Sequence, residues 1–343
     1  MARKKIAING FGRIGRLFFK AAMESSDLEV VAINDLGDVE NLAYLLKYDS
    51  VYGRYEKDVQ ADMAGGKLVV GGKGIKFLQV KDPAQLPWKD FGIDIVVEST
   101  GLFDEYEKAK VHVAAGAKRV VITAPAKDED GPEGKTVLMG INEGELSTCA
   151  ITSNGSCTTN SASPVIQILS ENPGIEKAML STVHSYTATQ SLVDGPIRGG
   201  KDYRRGRAAA ENISPSTTGA AVAVTRAITS LKGKFDGIAF RTPSVTGSIS
   251  DITFVAKRKT SVEEINQIPT EAAASPRWQG ILKVTKDQLV SKDIVGEPYG
   301  AIVDLGFTKV IDGDLVKVLS WYDNEAGYVS TLVKQVEKVG ALL

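Results

Sequence analysis

A thiol, an imidazole and a cluster of small hydroxyls are the residues of this chain best suited to covalent chemistry. Cys157 lies in Ser153-Asn154-Gly155-Ser156-Cys157-Thr158-Thr159-Asn160, a polar run at the junction between an apolar strand pattern and a helical one. At a helix N-terminus, free N–H groups and the axial dipole stabilise a thiolate. A cysteine read alone is more often a small buried hydrophobe. Here the polar flanks, with Pro164 compatible with a helix start nearby, favour a nucleophile. His184 closes the apolar run Lys177 to Val183 and opens Ser185-Tyr186-Thr187-Ala188-Thr189-Gln190. An imidazole at a strand end can take the thiol proton and later act on the hydroxyl of an adduct. A hydrogen-bonded histidine without chemical consequence fits the same pattern. Cys149 lacks such surroundings and reads as core, and His112, in a helical run after Lys110, reads as structural or surface.

A second constellation is built for phosphate. Gly10, Gly12 and Gly15 form GxGxxG directly after an apolar strand, Lys4 to Asn9, and at the mouth of a helical pattern from about Arg13 to Met23. The first glycine permits the tight turn, the second lets backbone N–H groups approach a pyrophosphate, and the third allows close helix-to-strand packing. Asp35 ends the next strand, Leu28 to Asn34, where a carboxylate accepts the adenosine ribose hydroxyls. Leu36 to Glu40 contain no Arg or Lys to neutralise a 2′-phosphate, so the expected cofactor is NAD rather than NADP. The competing reading is a plain glycine turn with an incidental acid.

Further anion-binding groups follow. Arg198, Lys201, Arg204, Arg205 and Arg207 share a short segment with one acid, Asp202. Thr217-Thr218-Gly219 opens a helical pattern, and Arg241 ends a strand beside Thr242. With Thr187 and Ser156 these groups could hold two small anions beside one thiol. The alternative for segment 198–207 is a solvated loop or an RNA-binding patch, but Tyr203 is its only stacking platform.

The elements that must position these groups can be read from periodicity. The 343 residues carry 41 Lys+Arg against 42 Asp+Glu, a net charge of −1, which argues against a chain that mainly coats nucleic acid or anionic membrane. Two His and two Cys match no zinc framework, so no metal is expected. No apolar run is long enough to span a membrane and no signal-peptide pattern opens the chain, so the expected address is cytoplasmic. The first half alternates strands and helices: after the βαβ start come a hairpin, Lys67 to Val70 and Ile75 to Val80, and strands at Ile93 to Glu98, Arg119 to Thr123, Val137 to Ile141 and Ala150 to Ser153. This predicts a doubly wound parallel sheet of Rossmann type. From Ser153 onward, longer strands at Lys177 to Val183, Ile238 to Arg241, Ser248 to Lys257 and Leu315 to Trp321 predict an α+β domain with a mainly antiparallel or mixed sheet. A helix is expected over Thr217 to Leu231, and Tyr328, Leu332, Val336 and Val339 share one face of a terminal helix. The expected division is 1–152 for cofactor binding, completed by helix 322–343, and 153–321 for catalysis.

Taken together, GFGRIGR at 10–16, ND at 34–35, ESTG at 98–101, SNGSCTTN at 153–160, TVHSYTATQ at 182–190, the RRGRAAAENISPSTTGAA stretch, FRTP at 240–243 and SWYDNEAGY at 320–328 resemble the phosphorylating glyceraldehyde-3-phosphate dehydrogenases, essentially end to end. The resemblance implies Cys157 as nucleophile and His184 as its base. It implies NAD against Asn9, Gly10, Gly12, Arg13 and Ile14, with Asp35 on the ribose, Lys81, Thr100 and Thr123 along the cofactor, and Asn324 on the nicotinamide amide. The phosphate of glyceraldehyde 3-phosphate would meet Thr187, Thr189 and Arg241, and inorganic phosphate would meet Ser156, Thr158, Arg205, Thr218 and Gly219. Gly155 stands where the family usually has Ala, Ser161 where many members carry a second Cys, and Ala326 where a bulky residue is usual. The Gly199-Gly200 region is about two residues longer than common, which bears on the choice of Arg205 over Arg204.

The chemistry so implied is attack of the Cys157 thiolate on an aldehyde, hydride transfer to NAD assisted by His184, and phosphorolysis of the thioester to an acyl phosphate, a step of glycolysis and gluconeogenesis. The nearest alternative is an erythrose-4-phosphate dehydrogenase, which resembles the family throughout and releases a free acid. An RNA-binding protein using 198–207 is the alternative of a different class. The resemblance also implies a homotetramer.

Overall fold

A computed structural model describes residues 2–197 and 201–343, so Arg198, Gly199 and Gly200 of the basic segment lie outside the described residues. The chain divides into two compact units: Met1–Val137 with Asn142–Gly155 and Leu332–Leu343, and Leu138–Ile141 with Ser156–Thr331.

The first unit opens with β1 (Lys4–Asn9), α1 (Arg13–Ala22), β2 (Leu28–Asn34) and α2 (Val39–Lys47). Helix α1 turns Phe18, Phe19 and Ala22 inward, the helical spacing of its apolar residues. Helix α2 starts where Asp38 accepts from Asn41 N at 2.8 Å, an N-cap whose loss would cost about 1 kcal/mol. A two-strand ribbon, β3 (Tyr48–Asp49) and β4 (Gly53–Arg54), precedes β5 (Val59–Asp62), β6 (Lys67–Val70) and β7 (Lys73–Leu78). The β6–β7 hairpin turns on Gly71 and Gly72, both at positive φ (56° and 79°), as a two-residue turn matched to strand twist requires. Then come α3 (Trp88–Phe91), β8 (Ile95–Glu98), α4 (Tyr106–Ala114), β9 (Arg119–Ile122), β10 (Gly134–Thr136) and β11 (Ile151–Ser153). The nine strands lie in the order β10-β11-β9-β8-β1-β2-β7-β6-β5, parallel from β10 to β7, with β6 and β5 antiparallel at the edge. This is the predicted Rossmann-type sheet, and its order reverses at β1, flanked by β2 and β8. Ligands of such sheets bind outside the carboxyl ends of the strands at that reversal.

One expected strand is absent. Val137 to Ile141 is apolar, with Val137, Leu138 and Met139 buried, but is not a strand; β10 ends at Thr136, and Gly140 takes φ 80° in a turn. An unalternating apolar run has no period to mark it as extended, and its burial comes from packing alone.

The second unit contains α5 (Cys157–Glu171), β12 (Ile175–Ser185), β13 (Ser214–Thr217), α6 (Ala220–Ala227), β14 (Phe235–Thr242), β15 (Ser248–Ala256), α7 (Val262–Ala273), β16 (Leu282–Thr285), β17 (Ala301–Ile311) and β18 (Leu315–Tyr322). Its sheet runs β13-β14-β12-β15-β18-β17-β16 and is mixed as expected, with β12/β14 and β16/β17 parallel and the other pairs antiparallel. Strand β15 alternates strictly between buried and half-buried residues, the period of a strand with one face inward. The predicted helix over Thr217 to Leu231 is shorter: Thr217 belongs to β13, and α6 starts only after Gly219. The terminal helix, α8 (Ala326–Ala341), buries Tyr328, Leu332, Val336 and Val339, the face read from their spacing.

Candidate functional site

In the first unit, the glycine turn is shaped by close approach. Gly10 sits at φ 96°, and a Cβ there would lie 2.6 Å from the backbone of Ser99 and Thr100. A Cβ on Gly15 would lie 2.1 Å from the Gly10 carbonyl, so helix and turn meet without room for a methyl group. Gly12, at the N-cap of α1, has nothing within 4 Å of an added Cβ and faces open space. A cavity of about 270 Å³ is lined by Asn9, Gly10, Gly12, Asp35, Lys81 and Thr100, six of the predicted cofactor residues, among others. The helix N-terminus, the glycine cradle and the acid at the end of β2 fit a dinucleotide that carries a free ribose diol.

The remaining predicted cofactor residues are placed differently. Arg13, in the first turn of α1, has its side chain committed to Asp49 through a bidentate pair (3.1 and 3.2 Å). Ile14 is half-buried in the same turn. Thr123 follows β9 and donates its N–H to the Glu98 carbonyl at 3.0 Å. Asn324 belongs to the second unit, where its Oδ1 accepts from Gly247 N at 3.2 Å and Ser248 Oγ at 3.0 Å and its amide hydrogens remain for a ligand carbonyl. Asp35 accepts from Phe11 N at 2.6 Å and Gly37 N at 2.8 Å, so it also closes the glycine turn.

In the second unit, Cys157 is the first residue of α5. Ser156 caps the helix: its Oγ accepts from Thr159 N at 3.1 Å while Thr159 Oγ1 accepts from Ser156 N at 3.1 Å. Gly155, at φ 65°, makes the turn into the cap. That left-handed conformation is one an Ala would hold only under strain, so the departure from the family residue suits the backbone. Pro164 stands inside α5 rather than near its start, with no N–H to offer the Asn160 carbonyl.

The structure brings Cys157 and His184 together: Sγ lies 3.3 Å from Nε2. His184 Nδ1 has two close neighbours, the Ser185 carbonyl at 2.6 Å and Arg241 Nη1 at 2.7 Å. A carbonyl only accepts and a guanidinium only donates. With the hydrogen on Nδ1, that atom donates to Ser185 O, to which Arg241 also donates at 3.3 Å, and the 2.7 Å contact between Nδ1 and Nη1 is then one between two donors rather than a hydrogen bond. This tautomer leaves the Nε2 lone pair facing the thiol. The Tyr322 phenol bonds Thr158 Oγ1 at 2.9 Å and Thr182 Oγ1 at 2.8 Å, and its ring packs edge-on against the imidazole, with centroids 6.0 Å apart. Tyr322 supports the imidazole through this ring contact; the sequence reading quoted its motif but assigned it no part, because only the fold sets β18 in the same sheet as β12, with β15 between them.

The electrostatics depart from the expected thiolate. Burial pushes the Cys157 thiol above its ordinary value, and the positive charge of Arg241 offsets this only in part. Burial first, and then Arg241, push His184 down to about 3, with the Ser185 carbonyl acting the other way. Both shifts favour the uncharged forms, a thiol beside a neutral imidazole, because desolvation disfavours either charge.

Arg241 pairs in register with His184 across β14 and β12. It is half-buried, and its guanidinium feels the charge of Arg205. Arg205 donates to Thr189 Oγ1 and Ser216 Oγ, each at 3.1 Å, and Thr187 and Thr189 share a hydroxyl contact of 2.9 Å. Arg204 pairs with Asp202 at 2.7 Å and Arg207 with Asp194 at 2.7 Å, while Arg205, 3.9 Å from Asp202, is the one of these three that donates to a predicted threonine. Thr218 Oγ1 accepts from Ala220 N at 3.2 Å beside Gly219 at the start of α6. The buried Thr158 hydroxyl is turned inward to Tyr322, and its backbone N–H faces the Cys157 thiol.

Two family models match the chain: "Glyceraldehyde 3-phosphate dehydrogenase, NAD binding domain" over residues 4–106 and "Glyceraldehyde 3-phosphate dehydrogenase, C-terminal domain" over 156–324. Among similar proteins, a glyceraldehyde-3-phosphate dehydrogenase of Mycobacterium avium is 49% identical over 346 residues, covering 99% of each chain. Proteins of that name from Streptomyces coelicolor and Clostridium pasteurianum are 46% and 47% identical, covering 98% and 97% of each chain. With an NAD-binding domain, a matching C-terminal domain and relatives aligned over nearly its whole length, the chain belongs to the glyceraldehyde-3-phosphate dehydrogenase family of NAD-dependent oxidoreductases.

Proposed function

We propose that the protein oxidises D-glyceraldehyde 3-phosphate in the presence of inorganic phosphate to 1,3-bisphosphoglycerate, with Cys157 as nucleophile and His184 as its base. The observation that carries this reading is the 3.3 Å contact between Sγ and an Nε2 held as an acceptor by the Ser185 carbonyl. His184 takes the thiol proton as the sulfur bonds to the aldehyde carbon, which gives a thiohemiacetal on Cys157. It passes that proton to the former carbonyl oxygen, making the hydroxyl of the adduct, and takes it back as that carbon is oxidised to a thioester. NAD, when bound, supplies the hydride acceptor. Phosphate attacks the thioester carbonyl and the C–S bond breaks, returning the thiolate. Arg241 with Thr187 and Thr189 would hold the substrate phosphate, and Arg205 with Ser156, Thr158, Thr218 and Gly219 the attacking phosphate, through charge-assisted hydrogen bonds. Residues 1–152, completed by the C-terminal segment 322–343 that carries α8, would form the cofactor domain and residues 153–321 the catalytic domain, and Asn324, ahead of α8, would donate to the nicotinamide amide oxygen.

A homotetramer is part of the proposal. On β12 and β14, Met179, Val183 and Ile238 are 54%, 41% and 46% exposed, an apolar sheet face that supports association with further copies. A reactive, unpaired Cys157 suits a reducing compartment, which supports the cytoplasm, and the reaction a place in glycolysis and gluconeogenesis. The test is NADH formation with glyceraldehyde 3-phosphate or erythrose 4-phosphate, each with and without phosphate. The proposal expects the three-carbon substrate to react far faster and to need phosphate for turnover; phosphate-independent preference for the four-carbon sugar would overturn it.

A further inference from the structure

Beneath the glycine turn lies a buried polar chain that the reaction does not use. Asn9, Asn34 and Glu98 are the last residues of β1, β2 and β8, three adjacent parallel strands, and they stand in register with one another. Their exposures are 2%, 5% and 2%, and His112 of α4, joined to them, is 0% exposed. His112 is thus not a surface residue.

The donors and acceptors are ordered in one direction. Trp88 Nε1–H can only donate, and it bonds His112 Nδ1 at 3.2 Å, so the imidazole hydrogen is on Nε2, which donates to Glu98 Oε2 at 3.0 Å. Asn9 Nδ2 donates to the same oxygen at 2.6 Å. Thr100 N and Oγ1 donate to Oε1 at 2.8 and 2.5 Å. Both oxygens only accept, as a carboxylate does. On the far side Asn34 Nδ2 donates to Asn9 Oδ1 at 2.8 Å, and Asn34 Oδ1 accepts from Val80 N at 2.9 Å. Ser99 Oγ completes the frame by donating to the Gly10 carbonyl at 2.6 Å.

Such a chain is an expensive way to fill a core, since apolar residues of similar volume often serve stability as well or better. Its members Asn9, Asn34, Val80 and Thr100 line the cofactor cavity. We propose that Glu98 and His112 are positioning residues for the dinucleotide: Glu98, oriented by His112 and Trp88, ties Asn9 at the glycine turn to Thr100 on the facing loop, and this sets the shape of the cradle. The proposal rests on NAD occupying that cavity. It also assigns the Thr100 hydroxyl hydrogen to Glu98 rather than to the cofactor.

The test is the dissociation constant for NAD, by calorimetry on the full-length protein, read beside thermal unfolding without cofactor. Glu98→Gln keeps the volume but turns an NH2 toward one pair of donors, and the NAD dissociation constant should rise roughly 10- to 100-fold. His112→Gln, whose amide oxygen and nitrogen can replace Nδ1 and Nε2, should stay within about threefold, whereas His112→Leu should weaken binding about tenfold. Thr100→Ser and Thr100→Val, at a half-buried position that tolerates change, provide the same contrast if the buried variants do not fold: Ser keeps the donor to Glu98 and should bind NAD normally, Val should not. Unchanged affinity in Glu98→Gln, equal weakening in both members of either pair, or losses that merely follow the unfolding temperature would overturn the proposal. Absence of NAD binding by the unsubstituted protein would instead overturn the reading of the cavity.

Discussion

Replacing Asp35 by Asn separates the two tasks that the structure gives this side chain. Its oxygens already accept from Phe11 N at 2.6 Å and Gly37 N at 2.8 Å, and the cofactor reading adds the hydroxyls of the adenosine ribose. Asn preserves the shape but turns an NH2 toward one of those backbone donors or toward the ribose. Losing one charged hydrogen bond costs about 1.5–3 kcal/mol, so kcat/KM for NAD should fall roughly 10- to 100-fold. For NADP the sign reverses. A 2′-phosphate of charge near −2 placed about 4 Å from a carboxylate is repelled by about 2 kcal/mol even at the dielectric constant of water, and Asn removes that term. Relief of about 2 kcal/mol is roughly a 30-fold gain. The NAD-to-NADP preference should therefore shrink by roughly 300- to 3,000-fold, measured as the ratio of kcat/KM values at fixed aldehyde and phosphate. If both cofactors weaken in step, Asp35 serves only the turn, and the assignment of the acid to the ribose is wrong.

Two further outcomes follow from the thiol site. Because His184 is held near 3 in the folded chain against an ordinary value of 6.5, the native state binds fewer protons than the unfolded chain between those values. Its contribution to stability is thus complete above pH 6.5 and is lost as pH falls toward 3, by at most about 1.4 kcal/mol per pH unit. Urea unfolding of His184→Gln should show a shallower acid loss than the unsubstituted protein, by about one proton; identical slopes would mean that the imidazole is not held neutral. Arg241→Leu should raise the KM for glyceraldehyde 3-phosphate by roughly 10- to 100-fold while changing that for unphosphorylated glyceraldehyde far less. Equal effects on both aldehydes would remove Arg241 from phosphate binding.

The parts of the molecule legible in the sequence are those governed by short-range rules. GxGxxG between an apolar strand and a helix led directly to the β1–α1–β2 unit, and the longer strand read at Ser248 to Lys257 is β15. Val137 to Ile141 misled because an apolar run without alternation carries no mark of extension. Pro164 fitted a helix start nearby because proline is tolerated in a first turn, yet it stands well inside α5, which continues through it. Helix α7 carried an unread signal, Ser261 three residues before Glu264, and Ser261 does accept from Glu264 N at 3.3 Å. At the site, Cys157 and His184 were legible from flanking polarity, but the raised thiol was not, since desolvation depends on what the fold packs around it. The links from Trp88 through His112 to Glu98 join residues far apart in sequence and leave no local trace.

The account stands on acyl transfer through the Cys157 sulfur. The direct measurement is rapid mixing of the NAD-saturated protein with glyceraldehyde 3-phosphate in phosphate-free buffer, followed by mass spectrometry of the quenched peptide containing Cys157. The expected result is a burst approaching one NADH per chain, an acyl group on that peptide, and turnover restored when phosphate is added. Continuous NADH formation without phosphate and with an unmodified Cys157 would contradict it.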